Sequence, residues 1–357
     1  MISISLCMIV KNEEKTIARL LDSIKGLVDE IIIVDTGSND NTKKIVSSYT
    51  DKIYDFKWVN DFSAARNYAF SLANKEYCLW LDADDVVLED DYNNFKSLKE
   101  NLSNDVSVVM MKYNTNFDED NNPTFSFYRE RLLRREDEFK WAGFIHEAIS
   151  VRGKVYYSDI AITHKKLDKE YSRRNLDIYE YHLELGTHFN PRDKFYFARE
   201  MYYHAKFEKA IEKYQEFLLE DGWIENKIEA CQFIALCYKR LNKERDYISW
   251  LINSFVYDKP RAEICCDIGA YFYDKKKYDL SIYWYSIASS CVRNDSSGAF
   301  VKPECYGYIP FIQLCLCYYA INDIDKAIAC NKRAGEFKPN DRAYLYNVEF
   351  FDKLKKV

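Results

Sequence analysis

The sequence predicts an N-terminal α/β domain with a mainly parallel sheet and a C-terminal all-α domain of helical hairpins. The chain has 357 residues, which is more than one ordinary core holds. Short apolar runs alternate with helical spacing in its first part, and beyond residue 168 only helical patterns remain. We therefore expect an α/β domain at 1–166, a helical linker at 167–189 and helical repeats at 190–357.

The α/β domain is predicted from the order of its strand and helix patterns. Residues 2–10 are apolar and β-branched, residues 13–25 have apolar side chains at helical spacing, and residues 30–37 return to a buried strand. Such alternation predicts helices on both faces of the sheet and ligands beyond the carboxyl ends of its strands. The same criteria predict helices at 42–48 and 62–73 and strands at 52–56, 76–85 and 106–113.

Two later segments interrupt this pattern. A turn-rich stretch at 118–123 precedes a mixed segment at 125–149. Within it, the run 129–135 alternates arginines, which could line one side of a strand and bind an anion. Arg131 or Arg134 could reach a diphosphate, and solvated charge is the alternative for at least two of the arginines.

The C-terminal domain shows an internal repeat. A phrase of aromatic, small and isoleucine positions recurs around Ala210, Ser281 and Ala327. The first two are 71 residues apart, which is two periods of about 35 and close to the tetratricopeptide period of 34. We expect a degenerate copy at 236–255 and a loop-like insertion at 290–310. The tyrosines are expected to pack in the repeat core, with a minority lining a groove for a partner.

Composition argues against several kinds of partner and site. The formal net charge of -6 argues against nucleic acid and anionic membranes. No apolar stretch approaches the roughly 20 residues of a spanning helix, and the opening segment lacks the layout of a signal peptide. The 11 cysteines form no CxxC pair and are not interleaved with the five histidines at ligand spacing. We therefore expect a reducing, cytoplasmic setting and no zinc site.

Asp82, Asp84 and Asp85 directly follow the apolar stretch CLWL. Carboxylates gathered at a strand end repel one another unless a counter-ion lies between them. Mg²⁺ and Mn²⁺ prefer oxygen ligands and would bridge such acids to a diphosphate. An acidic triplet alone is a weak signal, because solvated loops often contain one, but the position after a buried strand strengthens it.

Four ordered phrases resemble the GT-A fold of family 2 glycosyltransferases. They are ISLCMIVKNEE, IIIVDTGSNDNT, DFSAARNYA and LWLDADD. The continuation through WAGFIHEAI and ITHKKL is similar to the subgroup that fuses this domain to tetratricopeptide repeats, near the sublancin-type peptide S-glycosyltransferases and the flagellin-modifying glycosyltransferases. The resemblance implies a Rossmann-like GT-A domain, a UDP-sugar donor and inversion at the anomeric carbon.

The resemblance also implies which residues bind the donor. Asp35 and the backbone from Val10 to Asn12 would hold the nucleobase, usually uracil. Arg66 would lie near the phosphates, and the alternative is a salt bridge from Arg66 to Asp61 or Asp85. The residues implied in donor binding are Val10, Lys11, Asn12, Asp35, Asp61, Arg66, Asp82 and Ala83, and Asn67 belongs to the same phrase as Asp61.

A divalent metal, Mn²⁺ or Mg²⁺, is implied as the cofactor. Asp84 would bind it directly, Asp82 would face the metal or the ribose, and His164 would supply a further ligand. Neutral imidazole suits Mn²⁺. Without the other motifs, a histidine at a strand end is more often packed or solvated.

The segment around Glu147 is implied at the reacting centre. Glu147 would be the base that removes the acceptor proton, and the alternative is that it only orients His146 or a loop. Trp141 would stack on the sugar or pack in the core, and the sequence does not choose between these two roles.

The expected activity is transfer of a hexose or N-acetylhexosamine from a UDP-sugar to a peptide or protein side chain. One alternative acceptor is a cell-surface glycan or a lipid-linked sugar. An alternative of another class is a catalytically silent repeat adaptor, which the unpaired acids at the ligand face disfavour. The repeats would present the acceptor or form a homodimer.

Overall fold

The chain divides into two compact units, Met1–Thr187 and His188–Val357. The predicted turn at 118–123 and the predicted insertion at 290–310 lie partly outside the described residues. The computed structural model describes residues 1–117, 123–167, 172–293 and 301–354.

The first unit alternates strands and helices over most of its length. Its strands are β1 (Ile4–Val10), β2 (Glu30–Asp35), β3 (Ile53–Asp55), β4 (Tyr77–Leu79), β5 (Asp85–Val86), β6 (Val106–Phe117), β7 (Pro123–Arg134), β8 (Trp141–Ala142), β9 (Ala148–Ile149) and β10 (Lys154–His164). Its helices are α1 (Ile17–Ser23), α2 (Thr42–Val46), α3 (Phe62–Ser71), α4 (Glu89–Asn101) and α5 (Arg174–Glu184).

Eight of these strands form one sheet in the order β3-β2-β1-β4-β7-β6-β10-β5, and β8 pairs with β9. Parallel pairing joins β3, β2, β1 and β4 in succession, and also joins β6 to β10. The prediction of a mainly parallel α/β sheet is therefore confirmed. The second half is mixed, because β7 lies antiparallel between β4 and β6 and β5 lies antiparallel to β10.

Alternate residues of β1 pack on opposite faces of the sheet. Leu6 joins the core that contains Leu20 of α1, whereas Cys7 joins the core that contains Ala69 of α3. Burial of one leucine side chain contributes roughly 1.5–3 kcal/mol. The two cores therefore fix the carboxyl ends of the central strands from both sides.

Helix α1 begins four residues later than the predicted helix at 13–25. The backbone N–H of Glu13 donates to Thr42 Oγ1 at 2.7 Å, and that of Glu14 donates to Asp40 Oδ2 at 3.2 Å. Because these groups bond to a neighbouring loop, the chain continues beyond β1 as a loop before α1 starts.

Helix α5 lies within the segment predicted as a linker. Its buried residues are Leu176, Ile178 and Tyr179. The helix belongs to the first compact unit, which extends to Thr187.

The described part of the second unit is helical. The pairs α6/α7, α8/α9, α10/α11 and α12/α13 form helical hairpins, and α14 packs on α13. None of the described helices in either unit combines the length and apolar character needed to cross a membrane. The helices are α6 (Pro191–Tyr203), α7 (Phe207–Leu218), α8 (Ile224–Arg240), α9 (Glu244–Asn253), α10 (Ala262–Asp274), α11 (Tyr278–Ser290), α12 (Tyr308–Ala320), α13 (Ile324–Phe337) and α14 (Arg342–Leu354).

The repeat positions predicted from the sequence lie in the core of these hairpins. Ala210, Ser281 and Ala327 each have 0% of their surface exposed. Helix α9 falls in the predicted degenerate copy and places Tyr247, also buried, where the other copies have the small residue. The repeat prediction is therefore confirmed, with a bulky residue in one copy.

Candidate active site

Asp35 ends β2 beside the end of β1, where Val10 is its partner in the parallel pair. Asp35 Oδ1 accepts hydrogen bonds from the backbone N–H groups of Gly37 at 2.9 Å and Ser38 at 2.8 Å. Oδ2 is buried and accepts no hydrogen bond from any described residue. An unsatisfied buried acceptor costs about 1–3 kcal/mol. This oxygen therefore keeps acceptor capacity that no described donor uses.

The backbone after β1 is held beside Asp35. The N–H and hydroxyl of Thr36 both donate to the Val10 carbonyl, at 3.0 and 3.1 Å. Asn12 has a positive φ of 56°, and its N–H donates to Ser38 Oγ at 2.9 Å. The predicted residues Val10, Lys11 and Asn12 thus border the Asp35 carboxylate, and the Lys11 side chain is exposed.

The phrase DFSAARN starts α3 and ties it to β8. Asp61 caps the helix, because its Oδ1 accepts from Ala64 N at 3.0 Å and from Ser63 Oγ at 2.8 Å. Asn67 exchanges two hydrogen bonds with the Trp141 backbone, both at 2.9 Å. Asp61 therefore stabilises the start of α3, and Asn67 fixes α3 against β8.

Arg66 joins the acidic strand end to the segment that contains Glu147. Its Nη2 donates to Asp82 Oδ1 at 2.8 Å, and its Nε donates to Glu147 Oε1 at 2.6 Å. The guanidinium carbon lies over both the Trp80 and the Trp141 ring, at 5.0 and 4.9 Å from their centroids. Burial would lower the pKa of Arg66, but the two carboxylates outweigh burial and raise it. One permanent cation thus holds two acids that the sequence places far apart.

The Oδ1 atom of Asp82 is paired with this cation. Burial would raise the pKa of Asp82, but the charges of Arg66 and Arg131 outweigh that effect and lower the pKa to about 2. The alternative partners considered for Arg66 were Asp61 and Asp85, and the observed partners are Asp82 and Glu147.

A candidate metal site lies next to this pair. Asp84, Asp85 and His164 each offer a ligand atom within 4.8 Å of the others. The pairing of β10 with β5 brings them together, since His164 lies opposite Asp85. Burial raises the pKa of Asp84, and repulsion from Asp82 and Asp85 adds to this against the opposing effect of His164. Carboxylate oxygens and one imidazole nitrogen suit Mn²⁺ or Mg²⁺, so these residues fit a divalent cation.

This group differs from the predicted ligand set of Asp84, His164 and Asp82. Asp85 joins Asp84 and His164 in this group, and Asp82, whose Oδ1 pairs with Arg66, stays a predicted ligand. The side chain of Ala83, also predicted at the donor site, is buried in the core of the sheet.

Sequence reasoning missed two residues that brace the acids. The Tyr113 hydroxyl lies 2.9 Å from Asp85 Oδ1 and 2.8 Å from His164 Nδ1. Arg131 is fully buried, forms an ion pair with Asp85 at 3.3 Å and lies 3.9 Å from the Trp80 ring centroid. The alternating arginines in the sequence indicate that one face of β7 is charged. No comparable pattern in β6, the strand that contains Tyr113, indicates the role of that tyrosine.

The two arginines considered for a diphosphate have other contacts. Arg131 has no exposed surface. Arg134 lies at the end of β7 and forms an ion pair with Asp137 at 2.8 Å. Neither residue supports a role in diphosphate binding.

The segment that carries Glu147 is held by helices on both sides. The Phe62 N–H donates to the Phe144 carbonyl at 2.9 Å, and the Phe144 ring stacks on His182 of α5 with centroids 4.1 Å apart. The Glu147 side chain is 12% exposed. Trp141 is 3% exposed and packs edge-on against Trp80, so packing is its observed role.

Comparison with known proteins agrees with this architecture. Residues 5–159 match the family described as Glycosyl transferase family 2. The glycosyltransferase SunS of Bacillus phage SPbeta is 28% identical over 68% of this chain and 56% of that protein, as is the prophage-derived SunS of Bacillus subtilis. A TPR repeat-containing protein of Synechococcus elongatus is 41% identical over 27% of this chain and 24% of that protein. The chain thus spans about a quarter to about half of the lengths of these relatives.

Two solved structures show weaker similarity. The C-terminal part of a TPR repeat-containing protein from Cytophaga hutchinsonii has a TM-score of 0.37 and 19% identity, covering 46% of this chain and 59% of that one. Glucosyl-3-phosphoglycerate synthase from Mycobacterium tuberculosis, in complex with Mg²⁺ and UDP, has a TM-score of 0.27 and 20% identity, covering 31% of this chain and 44% of that one.

The sheet and the family match together define the class of the first unit as a glycosyltransferase-type α/β domain. It is a family 2 glycosyltransferase domain, and the chain joins it to helical repeats of the tetratricopeptide type.

Proposed function

We propose that the protein is an inverting, metal-dependent glycosyltransferase that moves a hexose or N-acetylhexosamine from a UDP-sugar to a peptide or protein side chain. The observation that carries the proposal is the convergence of three features in the first unit. These are the unsatisfied Asp35 oxygen, the Asp84–His164 pair, and the Arg66 bridge from Asp82 to Glu147.

Asp35 supports the choice of a uracil nucleotide. Its buried Oδ2 would accept the imide N–H of uracil, while Oδ1 stays bonded to the backbone of Gly37 and Ser38. A site built to hydrogen-bond an N–H group rejects a ligand without one, because its acceptor is then left unpaired.

Asp84 and His164 support the choice of a divalent metal. A cation bound there would neutralise the negative charge of the departing diphosphate. Asp84 and His164 would bind that cation next to Asp82, whose carboxylate forms an ion pair with Arg66.

Glu147 would remove the proton of the acceptor. As the acceptor atom bonds to the anomeric carbon, the bond from that carbon to UDP breaks, and the acceptor proton passes to the carboxylate. Attack opposite the leaving group inverts the configuration. Arg66 would align Glu147 through Oε1, and Oε2 would take the proton.

The repeats would present the acceptor. Partly buried polar pairs link successive hairpins, among them Gln232–Asp267 at 2.9 Å and Glu225–Arg261 at 2.9 Å. Repeat arrays form extended concave surfaces that bind partners. A homodimer through the repeats is the other proposed role, and sedimentation of the full chain would detect it.

The test is UDP release from a panel of UDP-sugars, with and without Mn²⁺ and with candidate peptides. We expect metal-dependent release by the wild type, and a loss of at least about 100-fold in Asp84→Ala and Glu147→Gln. Glu138→Gln is a matched control, since Glu138 lies at the turn after β7 and should leave the rate unchanged.

The outcomes separate the alternatives. If a glycan or a lipid-linked sugar stimulates UDP release and no peptide does, the acceptor is a glycan or lipid-linked sugar and not a peptide. UDP binding without release, under every donor and acceptor tried, would favour the silent adaptor and overturn the proposed reaction.

A further inference from the structure

Helix α1 reaches across the acidic strand end through one arginine. Arg19 Nη2 donates to the backbone carbonyl of Asp84 at 3.2 Å and to that of Lys165 at 2.8 Å. Asp84 is one of the three candidate metal ligands, and Lys165 directly follows another, His164. A single guanidinium nitrogen therefore joins the two chain segments from which the metal ligands project.

The sheet alone gives these segments little support. Strand β5 has only two residues and lies at the edge of the sheet, where it pairs with β10 at two positions. Beyond the last of these pairs, the Lys165 N–H donates to the Asp84 carbonyl at 2.9 Å. Arg19 binds the same carbonyl and extends the connection past the end of the ladder.

Helix α1 holds the other end of β5 as well. Ser23 lies one turn after Arg19, and its Oγ accepts from the Val87 N–H at 3.2 Å. The helix thus bonds to the residue before β5 and to the residue after it. The core leucines Leu20 and Leu21, both buried, fix α1 against the sheet.

The chemistry of the contacts suits a metal site. Arg19 donates to carbonyl oxygens and not to a carboxylate, so the Asp84 carboxylate remains available for a cation. The side-chain contacts of Arg19 thus leave the Asp84 carboxylate oxygens to other partners.

We propose that Arg19 is a positioning residue of the metal site, which sets the separation of Asp84 and His164 by holding the two carbonyls beside them. The inference rests on the metal site of the proposed function. Removal of residues that orient metal ligands typically weakens metal affinity 10- to 100-fold. Neither the acidic motif nor the family match assigns Arg19 this role.

The test is a Mn²⁺ titration of the full chain, in which electron paramagnetic resonance measures free Mn²⁺. We expect Arg19→Met to weaken Mn²⁺ binding about 10-fold and Arg19→Lys to weaken it less, because lysine can still donate to one carbonyl. Arg135→Met is the matched control. Arg135 Nε also donates to a carbonyl, that of Lys75 at 2.8 Å, next to the central strands β4 and β7, and its loss should change Mn²⁺ affinity less than twofold.

Uridine binding by the same variants separates positioning from folding. Uridine would report the Asp35 site without needing the metal, so Arg19→Met should bind it as the wild type does. Unchanged Mn²⁺ affinity in Arg19→Met would overturn the inference and leave the proposed function standing. A parallel loss of uridine and Mn²⁺ binding would also overturn it, in favour of a general structural role. A wild type that binds uridine but no Mn²⁺ would overturn the metal site and this inference together.

Discussion

The two units differ in the side chains that their sequence motifs place in the core. In the first, Arg66, Arg131, Asp85 and Glu147 are buried or nearly so and are joined by ion pairs. In the second, the repeat positions bury neutral small residues such as Ala210 and Ser281. Burial of an ion pair costs desolvation free energy that the attraction between its charges often does not exceed. A buried ion pair therefore adds little net stability to the fold. The buried motif residues of the first unit are thus placed by charge pairing, and the repeat positions by close packing.

The largest expected effect is in the first unit, at Arg131. Arg131→Met leaves the fully buried Asp85 without its cation, which should lower the free energy of unfolding by about 3–5 kcal/mol. Urea denaturation measures this change. Arg134→Met, which removes a partly exposed ion pair with Asp137, should cost no more than about 1 kcal/mol.

A double variant sharpens the same point. Arg131→Met with Asp85→Asn removes both charges and should regain most of the lost stability. Equal urea midpoints for Arg131→Met and Arg134→Met would show that the buried pair is not what makes this region sensitive.

A smaller effect is expected in the repeats. Ala210→Leu adds bulk at a position with no exposed surface, which should lower the free energy of unfolding by about 1–3 kcal/mol. Thermal unfolding measures the loss, and Mn²⁺ affinity should not change. Lys209→Leu is the control, because Lys209 is exposed and its replacement should have almost no effect on stability. Loss of Mn²⁺ binding in folded Ala210→Leu would break the proposed division of roles.

The smallest effect concerns the pH dependence of the Arg66–Asp82 pair. The folded pKa of Asp82 is lowered to about 2, so its contribution to stability is present above the unfolded value near 4 and is lost as pH falls towards 2. The side chain is 37% exposed, which reduces the expected contribution to about 1 kcal/mol. Asp82→Asn should therefore be less stable than the wild type at pH 7 and should match it near pH 2. A difference that persists unchanged at low pH would assign the effect to packing.

The parts of the fold that could be predicted are those with a strong local pattern. Apolar periodicity gave the order of strands and helices from β1 to β4, and the small residues at repeat spacing gave the hairpins. The mixed half of the sheet could not be predicted, because β7 carries charges on alternate residues and its pairing between β4 and β6 is set by contacts distant in sequence. The start of α1 was missed for a similar reason, since side chains of another loop hold Glu13 and Glu14.

The candidate site shows the same limit. Asp35, Asp84 and His164 lie at strand ends, where a pattern marks them. Tyr113 and Arg131 lie inside long strands, and their roles depend on which strands pair. Asp85 is not among the predicted ligands, because sequence spacing does not show that the pairing of β5 with β10 brings it beside His164.

The most direct test of the central claim is to compare uridine and UDP binding by calorimetry, in the wild type, Asp35→Asn and Asp84→Asn. If Asp35 holds the base and Asp84 the metal, UDP should bind more tightly than uridine only when Mn²⁺ is present. Asp35→Asn should then weaken both ligands, and Asp84→Asn should weaken UDP while leaving uridine unchanged. Asp84→Asn that binds UDP with Mn²⁺ as tightly as the wild type, or Asp35→Asn that leaves uridine binding intact, would contradict the account.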